Sequence, residues 1–460
     1  MTDQPTDHLD RRDFFKGLGV ASAATLLLSA VGGTLAGDVF QTPTSGNVHN
    51  RPWWIRNVDK PSLGIDWEVI ERFNAHTGLV LGEQGMRYVG DEDEINRLES
   101  KASALEIDRI QRNVPGYRLQ DQALYSAFRM ARNALPLSFL GLQQTPTPEQ
   151  LNVPRWEGTP EDAAQMVKAA LRHMGAATVG IVELDERTRK LIYSIDIDGK
   201  PIEFEDVPLG YETDDRRVIP YGHRWAIVYT VQMSEETLKR ASTVTGAQTT
   251  MLAYYRGISI QLIAQEFLRG LGYQALGQPA INALGIAPAL AVMAGLGELS
   301  RLNRVVTPEY GPMVRIFFLI TNLPMAPDSP IDAGIARFCR TCMKCAEACP
   351  SSALSFAKEP TWQPAGPWNN PGHETWFENS PRCRRYWLES AGTNCGICFA
   401  VCPFSKKNRS FMHDFMKMHI ATVPAVDGVV RSFDDAFGYG IQKDPETWWT
   451  SDLPPYGIEP

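Results

Sequence analysis

The sequence predicts an α/β or α+β core followed by a compact cysteine-bearing module. Two observations carry that reading. Between residues 159 and 325, short apolar runs of strand character alternate with helical stretches, the pattern of a layered core of sheet and helix. All eight cysteines of the 460 residues then fall between Cys339 and Cys402, beyond the Pro-rich hinge Pro324-Met325-Ala326-Pro327-Asp328-Ser329-Pro330. A chain of this length can bury a full hydrophobic core in two or three domains.

The elements follow from local chemistry. Residues 38–50 turn to Thr, Ser, Gly and Asn and read as a loop, and Pro115 to Leu140 carries helical patterning. Gln143 to Gly158 is a Pro/Gln/Thr-rich connection. Thr159-Pro160-Glu161-Asp162 is a helix start, with Thr as cap, Pro at the first position and acids in the first turn, so a helix is expected to about Met174. Thr178 to Glu183 reads as a buried strand, Trp225 to Met233 as a second, and Val314 to Thr321 as another. Between them, Glu235 to Arg240 is helical and Leu252 to Leu271 is a long helix. Trp53, Trp54 and Trp67 lie close together near the start, either covering core or lining an apolar pocket.

A net charge of -8 and the lack of a long Lys/Arg run argue against nucleic acid as the main partner, since phosphate binding needs a basic surface. Arg11-Arg12-Asp13-Phe14-Phe15-Lys16, followed by an uncharged stretch from Gly17 to Leu35, is a twin-arginine export signal, with Thr34-Leu35-Ala36 as a candidate cleavage site. That route carries folded proteins, which suits cargo loaded with cofactors before export. The expected organisation is a signal over 1–37, an N-terminal region covering the core over 38–158, the core over 159–325, the cysteine module over 326–410 and an extension packing back on the core over 411–460.

Cys339-x2-Cys342-x2-Cys345-x3-Cys349-Pro350 is the bacterial ferredoxin run for a 4Fe-4S cluster, in which the fourth cysteine serves the other cluster. Cys395-x2-Cys398-x3-Cys402-Pro403 lacks the first cysteine of such a run, and Cys383 can supply it. The assignment is therefore crossed: Cys339, Cys342, Cys345 and Cys402 hold one cluster, and Cys349, Cys383, Cys395 and Cys398 the second. A disulfide scaffold belongs to small domains short of core, and structural zinc takes paired CxxC knuckles, so neither fits this pattern. The protein is expected to move single electrons. No Rossmann glycine fingerprint, P-loop or HExxH site is present, nor is the Asp-x-His-x-x-Gly pattern in which a histidine ligates cobalamin from below.

With these features in hand, the whole chain resembles the catalytic subunit of the corrinoid-dependent reductive dehalogenases. The resemblance runs through Arg12-Asp13-Phe14-Phe15-Lys16-Gly17, Arg51-Pro52-Trp53-Trp54, Pro115-Gly116-Tyr117 with Asp121-Gln122-Ala123-Leu124, Pro154-Arg155-Trp156-Glu157-Gly158, Gly270-Leu271-Gly272-Tyr273 and Gly295-Leu296-Gly297-Glu298, and into the cysteine module. It implies a nitroreductase-like core that binds a corrinoid in its base-off form, joined to a bacterial-ferredoxin-like module with two 4Fe-4S clusters. The implied reaction replaces a carbon–halogen bond of an organohalide by carbon–hydrogen, with two electrons and a proton.

The resemblance also implies roles for particular residues. Tyr254 is the proton donor; because a phenol is a weak acid, a cation beside it is needed to stabilise the tyrosinate. Arg301 matches the family arginine in position, with Arg304 and Arg315 competing for that role. Asn282 falls where the family has a pocket asparagine, and Trp53 and Trp376 are candidates for the substrate wall. Expected partners are the organohalide, an upstream electron donor and a small membrane-anchor subunit on the outer face of the cytoplasmic membrane. Two readings compete with this one: a corrinoid and iron–sulfur reductase of the epoxyqueuosine reductase type, and a ferredoxin-type electron carrier without catalysis.

Overall fold

The computed structural model describes residues 51–458, apart from 407–410, 437 and 439; the export signal expected over 1–37 lies outside the described residues. Helix α1 spans Glu92–Gln111 and α2 spans Leu119–Ala134. Helix α3 spans Pro160–His173, begun as expected by Thr159, whose side chain accepts from the Asp162 amide while the Asp162 carboxylate accepts from the Thr159 amide. Strand β1 (Thr178–Glu183) follows, then a side sheet of β2 (Ile202–Glu205), β3 (Tyr211–Glu212) and β4 (Arg217–Pro220). Next come β5 (Trp225–Gln232), the long helix α4 (Val244–Gly270), β6 (Ala275–Leu276), helix α5 (Ala287–Met293) and β7 (Val314–Thr321).

The central sheet runs in the order β1-β5-β7-β6, and every neighbouring pair is antiparallel. This settles the choice between α/β and α+β in favour of α+β, because right-handed parallel crossovers are absent from that sheet. β5 and β7 are its centre: from Ala226 to Val231 and from Phe317 to Ile320 every side chain is buried, so these strands read as continuous apolar runs. Helix α4 crosses the sheet and is buried on most of its circumference. It begins eight residues before the expected Leu252, since its first two turns, from Val244 to Met251, are Thr-, Gly- and Gln-rich and show no apolar period. Their burial comes from packing against α2: Thr245 Oγ1 donates to the buried Asp121 carboxylate at 2.9 Å, and the opposite carboxylate oxygen of Asp121 accepts the Arg118 amide at the α2 start. Trp449 Nε1 donates to the same Asp121 at 2.7 Å, tying the C-terminal segment to the core.

Gly257 is required where α4 meets β7. A Cβ there would lie 2.0 Å from the Phe317 ring, and the Gly257 carbonyl accepts the Tyr229 hydroxyl at 2.8 Å. Other motifs of the sequence are struts as well: Tyr273 Oη donates to the Trp156 carbonyl at 2.9 Å, and the Trp156 amide donates to Leu271 O at 3.0 Å. Helix α1 escapes a periodicity reading because only Leu98 is buried on it. It is held from its polar side, where Arg109 donates to the carbonyls of Ala391 and Ser390 and Glu94 pairs with Arg385.

The cysteine module starts with helix α6 (Ile335–Cys342), whose N-terminus rests on a buried carboxylate: Glu298 accepts from the amides of Ala333 (2.7 Å), Ile335 (3.1 Å) and Ala336 (3.2 Å). Burial pushes the Glu298 carboxyl up, and those amides pull it back. Helix α7 (Ser380–Tyr386), capped by Asn379, carries Cys383 and runs into a π-helical turn over Trp387–Ala391. Among the described residues no helix is long and apolar enough to cross a membrane.

Candidate active site and cluster centres

A cavity of about 780 Å³ opens between the core and the cysteine module. Thr250, Met251, Tyr254 and Ile258 line it; their helical spacing places them along one face of α4. The start of β7 contributes Val314, Arg315 and Ile316, a loop contributes Asn282, and the module contributes Cys349, Cys383, Cys395 and Cys398. A volume in the upper part of the range for ligand sites, about 300–1,000 Å³, fits a bulky cofactor with a small substrate.

Tyr254 is half-buried and packs edge-on against Phe317, with ring centroids 6.2 Å apart at 75°. The Arg315 guanidinium sits 5.3 Å from the Tyr254 ring centroid and 5.6 Å from that of Phe399. Its Nη2 donates to Thr250 Oγ1 at 3.2 Å, and Asn394 Nδ2 donates to the same oxygen at 3.3 Å. Among the described residues Arg315 has no carboxylate partner, so its charge acts on whatever stands before Tyr254. Asn282 lines the cavity with φ of 61°, a left-handed conformation that asparagine tolerates better than most residues.

The other sequence candidates lie elsewhere. Arg301 does not line this cavity. It is buried against the module, where it lines a second, smaller pocket with Cys339, Cys342, Cys345 and Cys402. The cation beside Tyr254 is Arg315, a correction whose physical origin is the β7 register. A lone arginine inside the apolar run Val314 to Thr321 was the available signal, and only strand pairing decides which way it faces. Arg304 does line the cavity, but it is paired with the buried Glu378 at 2.6 Å. Neither tryptophan lines the cavity. Trp53 is 69% exposed, while Trp376 is fully buried under Arg301, with its Nε1 donating to Ala357 O. Thr250, Asn394, Phe317 and Phe399 were missed, because nothing in their local sequence distinguishes them from packing.

The cysteines divide into the two crossed sets. Cys349, Cys383, Cys395 and Cys398 gather on the cavity wall, and Cys339, Cys342, Cys345 and Cys402 gather around the smaller pocket. Among the described residues, no three His, Cys, Asp or Glu side chains converge as a single metal ion would need. Thiols spread around a pocket suit a multi-iron cluster instead. Burial pushes the thiols of Cys339 and Cys395 up to about 11 and that of Cys342 up to about 12, so bound iron has to supply the charge that holds them as thiolates.

A family model for the reductive dehalogenase subunit matches residues 50–325, and one for a 4Fe-4S double cluster binding domain matches residues 338–405. The chain belongs to the reductive dehalogenase subunit family. A trichloroethene reductive dehalogenase of Dehalococcoides mccartyi is 28% identical over 99% of this chain and 98% of its own length. A tetrachloroethene reductive dehalogenase of Sulfurospirillum multivorans is 36% identical over 65% of this chain and 61% of its own length. Among solved structures, a catabolic reductive dehalogenase in complex with 3-bromo-4-hydroxybenzoic acid shares the fold, with a TM-score of 0.61 and 24% identity over 84% of this chain. This chain spans about half of that one, 49% of its length. The family match over the core separates the chain from a bare electron carrier, since the core as well as the cluster module is matched.

Proposed function

We propose that the protein reduces an organohalide, releasing halide and placing hydrogen on carbon at the expense of two electrons and one proton. The observation that carries the proposal is the convergence of Tyr254, Arg315 and four cluster cysteines on one cavity. In this reading the cavity would hold a base-off corrinoid, on a nitroreductase-like core. No histidine is among the described residues lining it, and its apolar walls, from Leu135, Leu137, Ile281 and Val314, would enclose the macrocycle. When bound, the corrinoid supplies the cobalt chemistry that breaks the carbon–halogen bond.

This chain's residues do the rest. Cys349, Cys383, Cys395 and Cys398 would hold one cluster at the cavity wall, and Cys339, Cys342, Cys345 and Cys402 a second one behind it; the pair would supply electrons one at a time. Tyr254 gives its phenolic proton to the carbon that loses halide. Arg315 stabilises the tyrosinate left behind, and Thr250 and Asn394 hold that guanidinium in place. Asn282 and the apolar wall orient the substrate and keep water out. We further propose export by the twin-arginine route to the outer face of the cytoplasmic membrane, docking on a small anchor subunit and supply from an upstream donor.

The test is an anaerobic assay of the loaded protein with chlorinated alkenes, alkanes and aromatics and a low-potential electron donor. Halide release with matching dehalogenated product is expected. Protein carrying corrinoid and its full cluster iron that releases no halide from any of them would sink the proposal.

A further inference from the structure

Arg301 is a buried cation without an ion-pair partner among the described residues; the one carboxylate whose field reaches it, Glu347, is itself paired with Arg431. The residue is 1% exposed. Its guanidinium lies 4.8 Å from the Trp376 ring centroid and donates only to backbone carbonyls: Nε and Nη2 to Cys339 (3.0 and 2.7 Å), Nη2 also to Lys358 (3.5 Å), and Nη1 to Ser355 (2.7 Å) and Ala357 (2.6 Å). Among the described residues it has no carboxylate partner. A buried charge left in that state is costly, so some counter-charge belongs beside it. The pocket it lines is the one framed by Cys339, Cys342, Cys345 and Cys402.

Several other cations around the outer set are paired among the described residues. Lys344 pairs with Asp434 and Asp435, and Lys406 pairs with Asp434. Arg431 pairs with Glu347 at 2.7 Å. Beside the inner set, Arg304 is neutralised by Glu378 at 2.6 Å. Among the described residues lining the pocket of the outer set, Arg301 is the one cation, and it has no ion-pair partner.

We propose that the outer cluster is the counter-charge of Arg301, and that Arg301 raises its reduction potential, so that the cluster fills readily from the donor and holds an electron in reserve until the inner cluster has discharged into the cavity. The step is one reversible electron per cluster: reduction adds one negative charge to the cluster and its four thiolates, and a fixed cation at the ligand backbone stabilises that state. Arg301 is a positioning residue for electrons and does not touch the substrate. The proposal rests on the contact of Arg301 with the cluster module and is independent of the substrate.

The experiment is a redox titration of the full-length, cluster-loaded protein followed by electron paramagnetic resonance, for wild type, Arg301→Gln and Arg301→Lys, repeated with Cys383→Ala so that the outer cluster is observed by itself. Arg301→Gln is expected to weaken reduction of the outer cluster at least tenfold, ~59 mV for one electron, with the inner cluster unmoved. Arg301→Lys, which keeps the charge and loses the fork, is expected to stay near wild type. An unmoved outer cluster in Arg301→Gln, equal shifts of both clusters, or a shift in Arg301→Lys as large as in Arg301→Gln overturns the proposal. If Arg301→Gln fails to assemble the outer cluster, Arg301→Lys decides: a cluster at the wild-type potential supports the proposal, and failure to assemble there too overturns it.

Discussion

Arg315 is the residue whose removal tests the proton-transfer chemistry most directly. The guanidinium lies 5.3 Å from the Tyr254 ring centroid, in a half-buried setting with no carboxylate partner among the described residues. At an effective dielectric of ~20, a unit charge at that distance stabilises a tyrosinate by about 3 kcal/mol. Arg315→Gln should therefore slow the proton-transfer step by roughly 100-fold. Arg315→Lys should lose less, because the charge stays while the bond to Thr250 weakens. The assay is single-turnover halide release from protein matched for corrinoid and iron content, with Tyr254→Phe as the companion variant. If the arginine acts through the tyrosinate, Arg315→Gln in the Tyr254→Phe background costs almost nothing more. Full additivity of the two losses would refute the reasoning, as would an Arg315→Gln enzyme within threefold of wild type while Tyr254→Phe is inactive.

Three further outcomes are expected. Cys383→Ala should halve the cluster iron and leave one cluster signal, read by iron analysis and electron paramagnetic resonance; loss of both signals would contradict the crossed division of the cysteines. Gly257→Ala should destabilise the core by about 1–3 kcal/mol, because its Cβ forces the Phe317 ring aside against a gain in helix propensity of only about 1 kcal/mol, and Tyr254 should lose its edge contact with that ring. Thermal unfolding and halide release should fall together; an unchanged melting temperature would show that the helix shifts freely. Burial pushes His223 down to about 4, with Gln274 pulling it back. The unfolded chain then takes up a proton between about pH 6.5 and 4 that the fold resists, so stability is held above that window and falls by up to about 3 kcal/mol as pH drops through it. Melting temperatures from pH 7 to 4.5 should show a smaller decline for His223→Gln than for wild type.

What was legible in the sequence was whatever depends on neighbours along the chain. The α3 cap at Thr159 and the apolar runs of β1 and β7 are short-range statements, and their bounds at Thr178–Glu183 and Val314–Thr321 follow the residues that carry them. The cysteine spacing is local as well, apart from Cys383, which had to be found by counting a missing ligand. Tyr254 came through resemblance, since a tyrosine in a buried helix carries no mark of its chemistry. Tertiary structure decided the rest. The long start of α4 exists because Asp121 and α2 bury its polar first turns. The choice between Arg301, Arg304 and Arg315 turns on contacts remote in sequence: Arg301 faces carbonyls 38 to 57 residues away, Arg304 is taken by Glu378, and the pairing of β7 with β5 sets Arg315 over Tyr254. Composition and spacing determine which chemistry a chain can hold. Which of three arginines meets the phenol depends on strand register and long-range packing, which become definite only when the chain is folded.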